Sequence, residues 1–271
     1  MQQFYIRHPH IRCQRQMPDS LVQAQFGAHA ANYVASAAHA AGESLDHLRG
    51  WMAVRRPHRL LDIATGGGHT ALALASACPQ VLATDLTFPM LLAARSFLHA
   101  HSAHATTFAL HNAAQLPFSG ACFDAVTCRL AAHHFAAPDQ FVSESVRCLR
   151  TNGCLAVIDN VAPDNLAAAS LVNAFEKLRD PSHGRHQTAA DWEAMFTANR
   201  LQIALNQPYR KALNFADYCT RMSVPARRRT QLSALLLQAP AAVHSYFNPR
   251  TIDGALWFDL REILIIGTLP D

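Results

Sequence analysis

The stretch "LLDIATGGGHTALALA", Leu60 to Ala75, carries the first grouping of residue types able to do chemistry. Asp62 stands near the end of an apolar run, three glycines start at Gly66, and an alanine-rich helical pattern follows at once. A buried strand, a tight turn that favours residues without a Cβ, and a helix N-terminus with free N–H groups together suit a nucleoside ligand. Gly66, Gly68 and Ala71 keep the G-x-G-x-x-G/A spacing of a dinucleotide fingerprint, and Asp85 follows at about the expected 20 residues. The loop alone does not say which nucleoside is held.

Other polar groupings are weaker. His99, His101, His104 and His111 lie close in sequence, but they span a helix end, a loop and a strand without a partnering carboxylate. A hydrated turn is the better reading, and no metal site is assigned. Arginines bunch in "RRPHR" (Arg55 to Arg59) and "ARRR" (Ala226 to Arg229), where either a polyanion or plain solvated helix ends would account for them. The net charge of +4 is modest, so nucleic acid is disfavoured as a partner. Seven cysteines without a C-x-x-C pair argue against a disulfide framework or a cysteine-based zinc site.

The elements that must position these residues follow from length and pattern. A chain of 271 residues, half of them apolar, suffices for one α/β domain over 1–271, and no Gly/Ser-rich linker divides it. The division expected is an N-terminal helical cap over 1–57, a core over 58–160, and lid helices with a C-terminal strand pair over 161–271. Apolar runs fall short of the ~18 residues a membrane span needs, and "MQQFYIRHPHIRCQRQ" lacks a secretory stretch. A soluble, cytoplasmic protein is expected.

Short apolar runs alternate with helical segments, the signature of a doubly wound parallel sheet. "RLLDIAT", "VLATDL", "TTFALHNA", "DAVTCRL" and "CLAVIDN" read as strands, and "TALALASA" and "PMLLAARSFLHA" as helices, with Pro89 in the first turn of the latter. "DQFVSESVRCLRTNG" reads as a helix stopped by Gly153. Beyond Asn160, "NLAAASLVNAFEKLRD", "AADWEAMFTANR", "FADYCTRM" and "TQLSALLLQAPAAV" look helical, while "LQIALNQPYRKAL" and "LREILIIGTLP" look like strands.

These stretches, taken in order, resemble the class I S-adenosylmethionine-dependent methyltransferases, in particular the branch of the ubiquinone/menaquinone C-methyltransferases. "LLDIATGGGHTALALA" resembles the family's first motif, "VLATDLTFPMLLAA" its second, "HNAAQLPFSGACFDAVTCRLAAHHF" its third, and "LRTNGCLAVIDN" the strand after it. "QAQFGAHAANYVAS" and "LRDPSHGRHQTAADWEAMF" are similar to the flanking segments. The resemblance implies a Rossmann-like seven-stranded mixed sheet, mostly parallel with an antiparallel last strand, flanked by helices and carrying helical lid insertions. It implies S-adenosyl-L-methionine as the cofactor, S-adenosyl-L-homocysteine as the product, a small-molecule acceptor, and room for a homodimer. Ala64 replaces the family's first glycine, and Asn112 replaces the acidic residue common before "LPF".

On this reading a carboxylate at Asp62 would repel a pyrophosphate, whereas the methyl donor carries an ammonium and a sulfonium and no phosphate. The donor is expected along Asp62, Ala64, Gly66 and Gly68, with Asp85 accepting from its ribose hydroxyls and Leu86 and Met90 beside it. Asn112 and Ala113 would edge the adenine, the Arg129 carbonyl would face the ammonium, and Tyr33 would close over the donor. His133 and His134, with Asp159 on the same sheet edge, are the titratable groups nearest the methyl and the candidate bases. Arg179, His183 and Tyr218 are candidates for the acceptor. Apolar lid residues such as Leu171, Phe175, Met195, Phe196, Leu235 and Leu236 predict a small, partly apolar acceptor.

Overall fold

A computed structural model describes residues 21–27, 34, 40–103 and 105–271. Residues 21–27 are helical; the labelled elements begin after them. The core alternates strand and helix: α1 (Glu43–Arg55), β1 (Arg59–Ile63), α2 (His69–Leu74), β2 (Gln80–Asp85), α3 (Phe88–Ala100), β3 (Thr107–Leu110), β4 (Phe123–Arg129), α4 (Pro138–Cys148) and β5 (Leu149–Asn160). It continues through α5 (Leu166–Arg179), α6 (Ala189–Ala198), β6 (Gln202–Asn214), α7 (Phe215–Arg221), α8 (Ala226–Leu237), α9 (Ala241–Phe247), β7 (Arg250–Ile252) and β8 (Ala255–Thr268).

The strands form one mixed sheet in the order β3-β2-β1-β4-β5-β8-β6, with β7 paired to the start of β8. The first five are parallel, and β8 runs antiparallel to both β5 and β6, so the expected antiparallel last strand is present. The central strands β1, β4, β5 and β8 are largely buried on both faces, which is why they carry consecutive apolar residues, while the edge strand β6 is largely exposed. Leu60, Ala125, Ala156, Ile158 and Leu264 point to a core shared with Leu48 and Met52 of α1 and Leu98 of α3. Their neighbours Leu61, Val126, Leu155, Val157 and Ile263 point the other way, against Phe141 and Val142 of α4 and Trp192 and Phe196 of α6. A third core joins α5, α7, α8 and α9 to Phe258 and Leu260 at the start of β8, forming the lid.

Local chemistry fixes the element starts. Thr188 and Asp191 form a reciprocal capping box on α6, and Asn165 and Asn214 cap α5 and α7. Three sequence expectations need correction. Gly153 does not stop a helix: α4 ends at Cys148, Leu149 is already extended, and Gly153 lies inside β5 where a Cβ would meet the Arg150 carbonyl at 2.7 Å. The pattern "TQLSALLLQAPAAV" is two helices, α8 and α9, because Pro240 stands at the junction. The eighth strand, β7, forms a hairpin with β8 through Asp253 and Gly254, both at positive φ, the backbone that an Asp-Gly pair favours. No helix among the described residues is long and apolar enough to cross a membrane.

Candidate functional site

The strand order reverses between β1 and β4, and ligands of open α/β sheets bind outside the carboxyl ends of the strands at such a point. An open cleft of about 1170 Å³ lies there, lined by the residues that follow β1, β2, β3 and β4 and roofed by Val22 and Phe26 of the helical residues 21–27.

The loop after β1 crosses this floor in a left-handed conformation: Ala64 has φ 53°, Gly66 55° and Gly68 88°. A Cβ on Gly66 would meet only the Met90 methyl at 3.6 Å, so its missing side chain leaves open space in the cleft. Gly68 serves differently, since a Cβ there would press on Leu98 and Ala94 of α3 at 3.2 and 3.3 Å. Its need is close packing, and it is not part of the cleft lining.

Asp85 ends β2 with both carboxylate oxygens turned to backbone: Gly66 N–H donates to Oδ2 at 3.0 Å and Thr87 N–H to Oδ1 at 2.9 Å. One side chain thus ties the glycine turn to the start of α3. Burial raises its pKa against these hydrogen bonds. Asp62 sits behind the lining, accepting from Thr65 Oγ1 at 2.6 Å and Thr127 Oγ1 at 2.8 Å. Burial lifts its carboxyl to about 6 in spite of those hydroxyls and Arg129. Thr65 itself lines the cleft, so Asp62 reaches that space through a hydroxyl.

Ala64, Leu86, Met90, Asn112, Ala113, Arg129 and His134 also line the cleft. Asn112 Oδ1 accepts from Ala114 N–H at 2.8 Å, fixing the loop after β3. Tyr33 lies outside the described residues.

A second cavity, about 640 Å³, opens on the other side of Phe26, Leu130 and His134, which line both spaces. It gathers His133, Arg179, His183 and Tyr218, together with Glu176, Asp180, Lys211, Arg221 and Glu262. Tyr218 Oη donates to Glu176 at 2.6 Å, and the Arg179 guanidinium lies 3.7 Å from the Tyr218 ring centroid. His133 Nδ1 meets Asp159 Oδ1 at 2.6 Å, and the other oxygen accepts the His133 backbone N–H at 2.9 Å. Asp159 therefore stands behind His133 as its orienting partner. Burial opposes charge on His133, but Asp159 prevails and its pKa rises. His134 Nδ1 faces the Ser182 carbonyl at 3.1 Å, and burial with the neighbouring His133 lowers it to about 4. Burial also lowers His183 to about 2 and His186 well below the usual range.

None of the six apolar residues expected from the lid lines either cavity; the apolar lining of the second cavity comes from Phe26, Leu130, Leu213 and Leu260. Phe175 and Leu236 are buried in the lid's own core, Met195 and Phe196 pack on the sheet, and Leu171 and Leu235 face an outer groove between α5 and α8. Periodicity marked these residues as apolar but not which way their helices faced. Sequence reasoning also missed Phe26, Leu130, Glu176 and His186. Leu130 was detectable only from structure: its φ of 53° is unusual for a bulky residue, and it holds the wall between the cavities.

A cleft at the β1/β4 switch point, with a glycine turn after β1 and a carboxylate ending β2, is the place and chemistry at which enzymes with open α/β sheets bind their ligands. Comparison with known proteins narrows this. Residues 61–157 match the family model described as "Methyltransferase domain". The chain is 34% identical over 234 residues to the uncharacterized methyltransferase YcgJ of Bacillus subtilis (strain 168), covering 84% of this chain and 91% of that one. The Bacillus halodurans C-125 protein BH2331 superposes with a TM-score of 0.80 at 35% identity, covering 85% of this chain and all of that one. A demethylmenaquinone methyltransferase of Bacteroides fragilis is 28% identical over 138 residues, half of this chain and 56% of its own. The chain belongs to the class I S-adenosylmethionine-dependent methyltransferases.

Proposed function

We propose that this enzyme holds S-adenosylmethionine in the larger cleft and transfers its methyl group to a small polar acceptor in the second cavity. The observation that carries this reading is the common wall: Phe26, Leu130 and His134 line both spaces, so a methyl group at that wall can reach an acceptor without leaving the protein. In this pose Gly66 lets the backbone approach the donor, and Asp85 accepts from the ribose hydroxyls with the lone pairs its two backbone donors leave. Leu86 and Met90 flank the ribose, Asn112 and Ala113 edge the adenine, and the carbonyl of Arg129 faces the ammonium. Ala64 and Gly68 shape the turn, while Asp62 adds negative charge from behind Thr65.

The sulfonium is already an activated leaving group, so alignment of acceptor, methyl and sulfur with exclusion of water supplies most of the rate. His134, with Nδ1 turned to the Ser182 carbonyl, is left with Nε2 to hold an acceptor proton. His133, fixed by Asp159, and Arg179, His183 and Tyr218 shape the acceptor side. The charged lining supports a polar acceptor over a long apolar one, and the name of the demethylmenaquinone relative puts a quinol ring carbon among the acceptors to try. A polymer is disfavoured, because "RRPHR" runs from the last residue of α1 to the first of β1, at the amino edge of the sheet, opposite the cleft.

Calorimetry with S-adenosylmethionine tests the donor half, and S-adenosylhomocysteine release across phenols, enols, amines and carboxylates tests the acceptor half. Absence of donor binding would sink the reading as a whole. Turnover restricted to RNA or protein would replace the small acceptor.

A further inference from the structure

We infer that His133, His183 and His186 form a binding site for a divalent first-row transition-metal ion beside the second cavity. Their ligating atoms all lie within 4.8 Å of one another, and their ring centroids within 5.6 Å. Nothing in this requires methyl transfer, so the inference goes beyond the function proposed above.

Outer hydrogen bonds orient two of the three rings, those of His133 and His183. Asp159 Oδ1 sits 2.6 Å from His133 Nδ1, and a carboxylate there keeps the proton on Nδ1 and the lone pair on Nε2. Asn173 does the same for His183. Its Nδ2 donates to the Ala169 carbonyl at 3.0 Å, which fixes the amide so that Oδ1 accepts from His183 Nε2 at 2.9 Å and from the His186 backbone N–H at 2.7 Å. His183 is left with its Nδ1 lone pair. His186 is fully buried, and neither of its ring nitrogens has a hydrogen-bond partner, an arrangement that is costly for a buried imidazole unless something ligates it.

The surroundings suit a cation. Asp159, Glu176 and Asp180 all act on His133, against Lys177 and Arg179 near His183. Imidazole donors without thiolate favour zinc, copper, iron or nickel over magnesium or calcium. Tetrahedral zinc with bonds of about 2.0–2.1 Å needs nitrogens about 3.4 Å apart, so binding would draw the rings inward by about 1 Å. Three protein ligands leave a coordination position open, and His133 and His183 both line the second cavity.

The test uses the full chain, stripped with a chelator and titrated with Co²⁺ and then Zn²⁺. One equivalent of Co²⁺ should give the intense visible absorption of a four- or five-coordinate ion, lost when Zn²⁺ displaces it. His186→Gln and His183→Gln should each weaken Zn²⁺ binding at least 100-fold while S-adenosylmethionine affinity stays within threefold. A wild-type protein that takes up no stoichiometric Co²⁺, or only several weak octahedral equivalents on surface histidines, overturns the inference, even if neither variant folds. Unchanged Zn²⁺ affinity in a folded His186→Gln also overturns it. Donor binding is measured separately, so either outcome leaves the methyltransferase reading to its own test.

Discussion

Asp85 is the residue at which donor binding and fold stability can be separated, provided the substitution is Asn. Its two oxygens serve two backbone donors, Gly66 N–H at 3.0 Å and Thr87 N–H at 2.9 Å. Asp85→Ala leaves both N–H groups without an acceptor, at about 1–3 kcal/mol each, and loosens the turn that the donor needs. Any lost binding would then be ambiguous. Asp85→Asn keeps one oxygen, exposes one N–H to an amide NH₂, and relieves a carboxylate that burial already disfavours. The net stability loss should stay below about 2 kcal/mol, or roughly 4 °C in melting temperature for a chain of this size.

Donor binding should fall further. A carboxylate has about four lone-pair directions, two of them committed to backbone here, which leaves two for the ribose hydroxyls. The amide oxygen retains one, without charge. Losing one charge-assisted bond and weakening the other amounts to about 2–4 kcal/mol, or about 30- to 1000-fold in Kd. Calorimetry with S-adenosylmethionine, paired with urea denaturation, checks both numbers. A Kd within threefold of wild type in a folded Asp85→Asn protein would refute the ribose assignment.

Three further outcomes follow from the same geometry. Because burial lifts Asp62 from 3.8 to about 6, the native state binds its proton more tightly than the unfolded chain. Stability therefore falls as pH rises from about 4 through 6 and is flat above, by about 3 kcal/mol in all; Asp62→Asn should lack that component when denaturation is compared at pH 4.5 and 7.5. Ala64→Gly should be neutral or stabilising by up to about 1 kcal/mol, since a left-handed alanine is strained by about as much as glycine adds in unfolded-state freedom or slightly more; a loss above 1 kcal/mol would contradict the φ of 53°. Gly267→Ala should cost about 1–3 kcal/mol in urea denaturation, because its Cβ would meet Phe196 Cδ1 at 2.7 Å and Leu201 Cβ at 2.8 Å; an unchanged midpoint would show that α6 yields freely.

The fold was legible where hydrophobic period and turn chemistry agree. Short apolar runs mark β1, β2, β4 and β5 because both faces of these strands are covered, and Pro89 and Pro138 mark helix starts. Gly153 misled because a helix stop and a close backbone approach both call for glycine, and only the neighbouring Arg150 and Asp124 carbonyls tell them apart. The Asp253–Gly254 pair is a hairpin signal legible in the sequence, and it is the turn that joins β7 to β8.

The larger cleft and the second cavity differ in legibility for a physical reason. Ala64, Gly66, Asp85, Asn112 and Arg129 each lie at or just beyond the carboxyl end of a parallel strand, so their distance along the chain translates directly into place on the sheet edge. The second cavity has no such ruler. His133 follows β4, His183 and His186 follow α5, and Asn173, which orients His183 and holds the His186 backbone, lies within α5. Their meeting depends on how the lid packs on the sheet, through contacts such as the Gly184 and Arg185 N–H groups donating to the His133 carbonyl at 2.9 and 3.0 Å. A Cβ on Gly184 would lie 2.9 Å from that same carbonyl oxygen. In "SHGRH", then, the glycine lets the chain come close enough for the histidines on either side of it to face His133, a relation that no spacing rule along one element expresses.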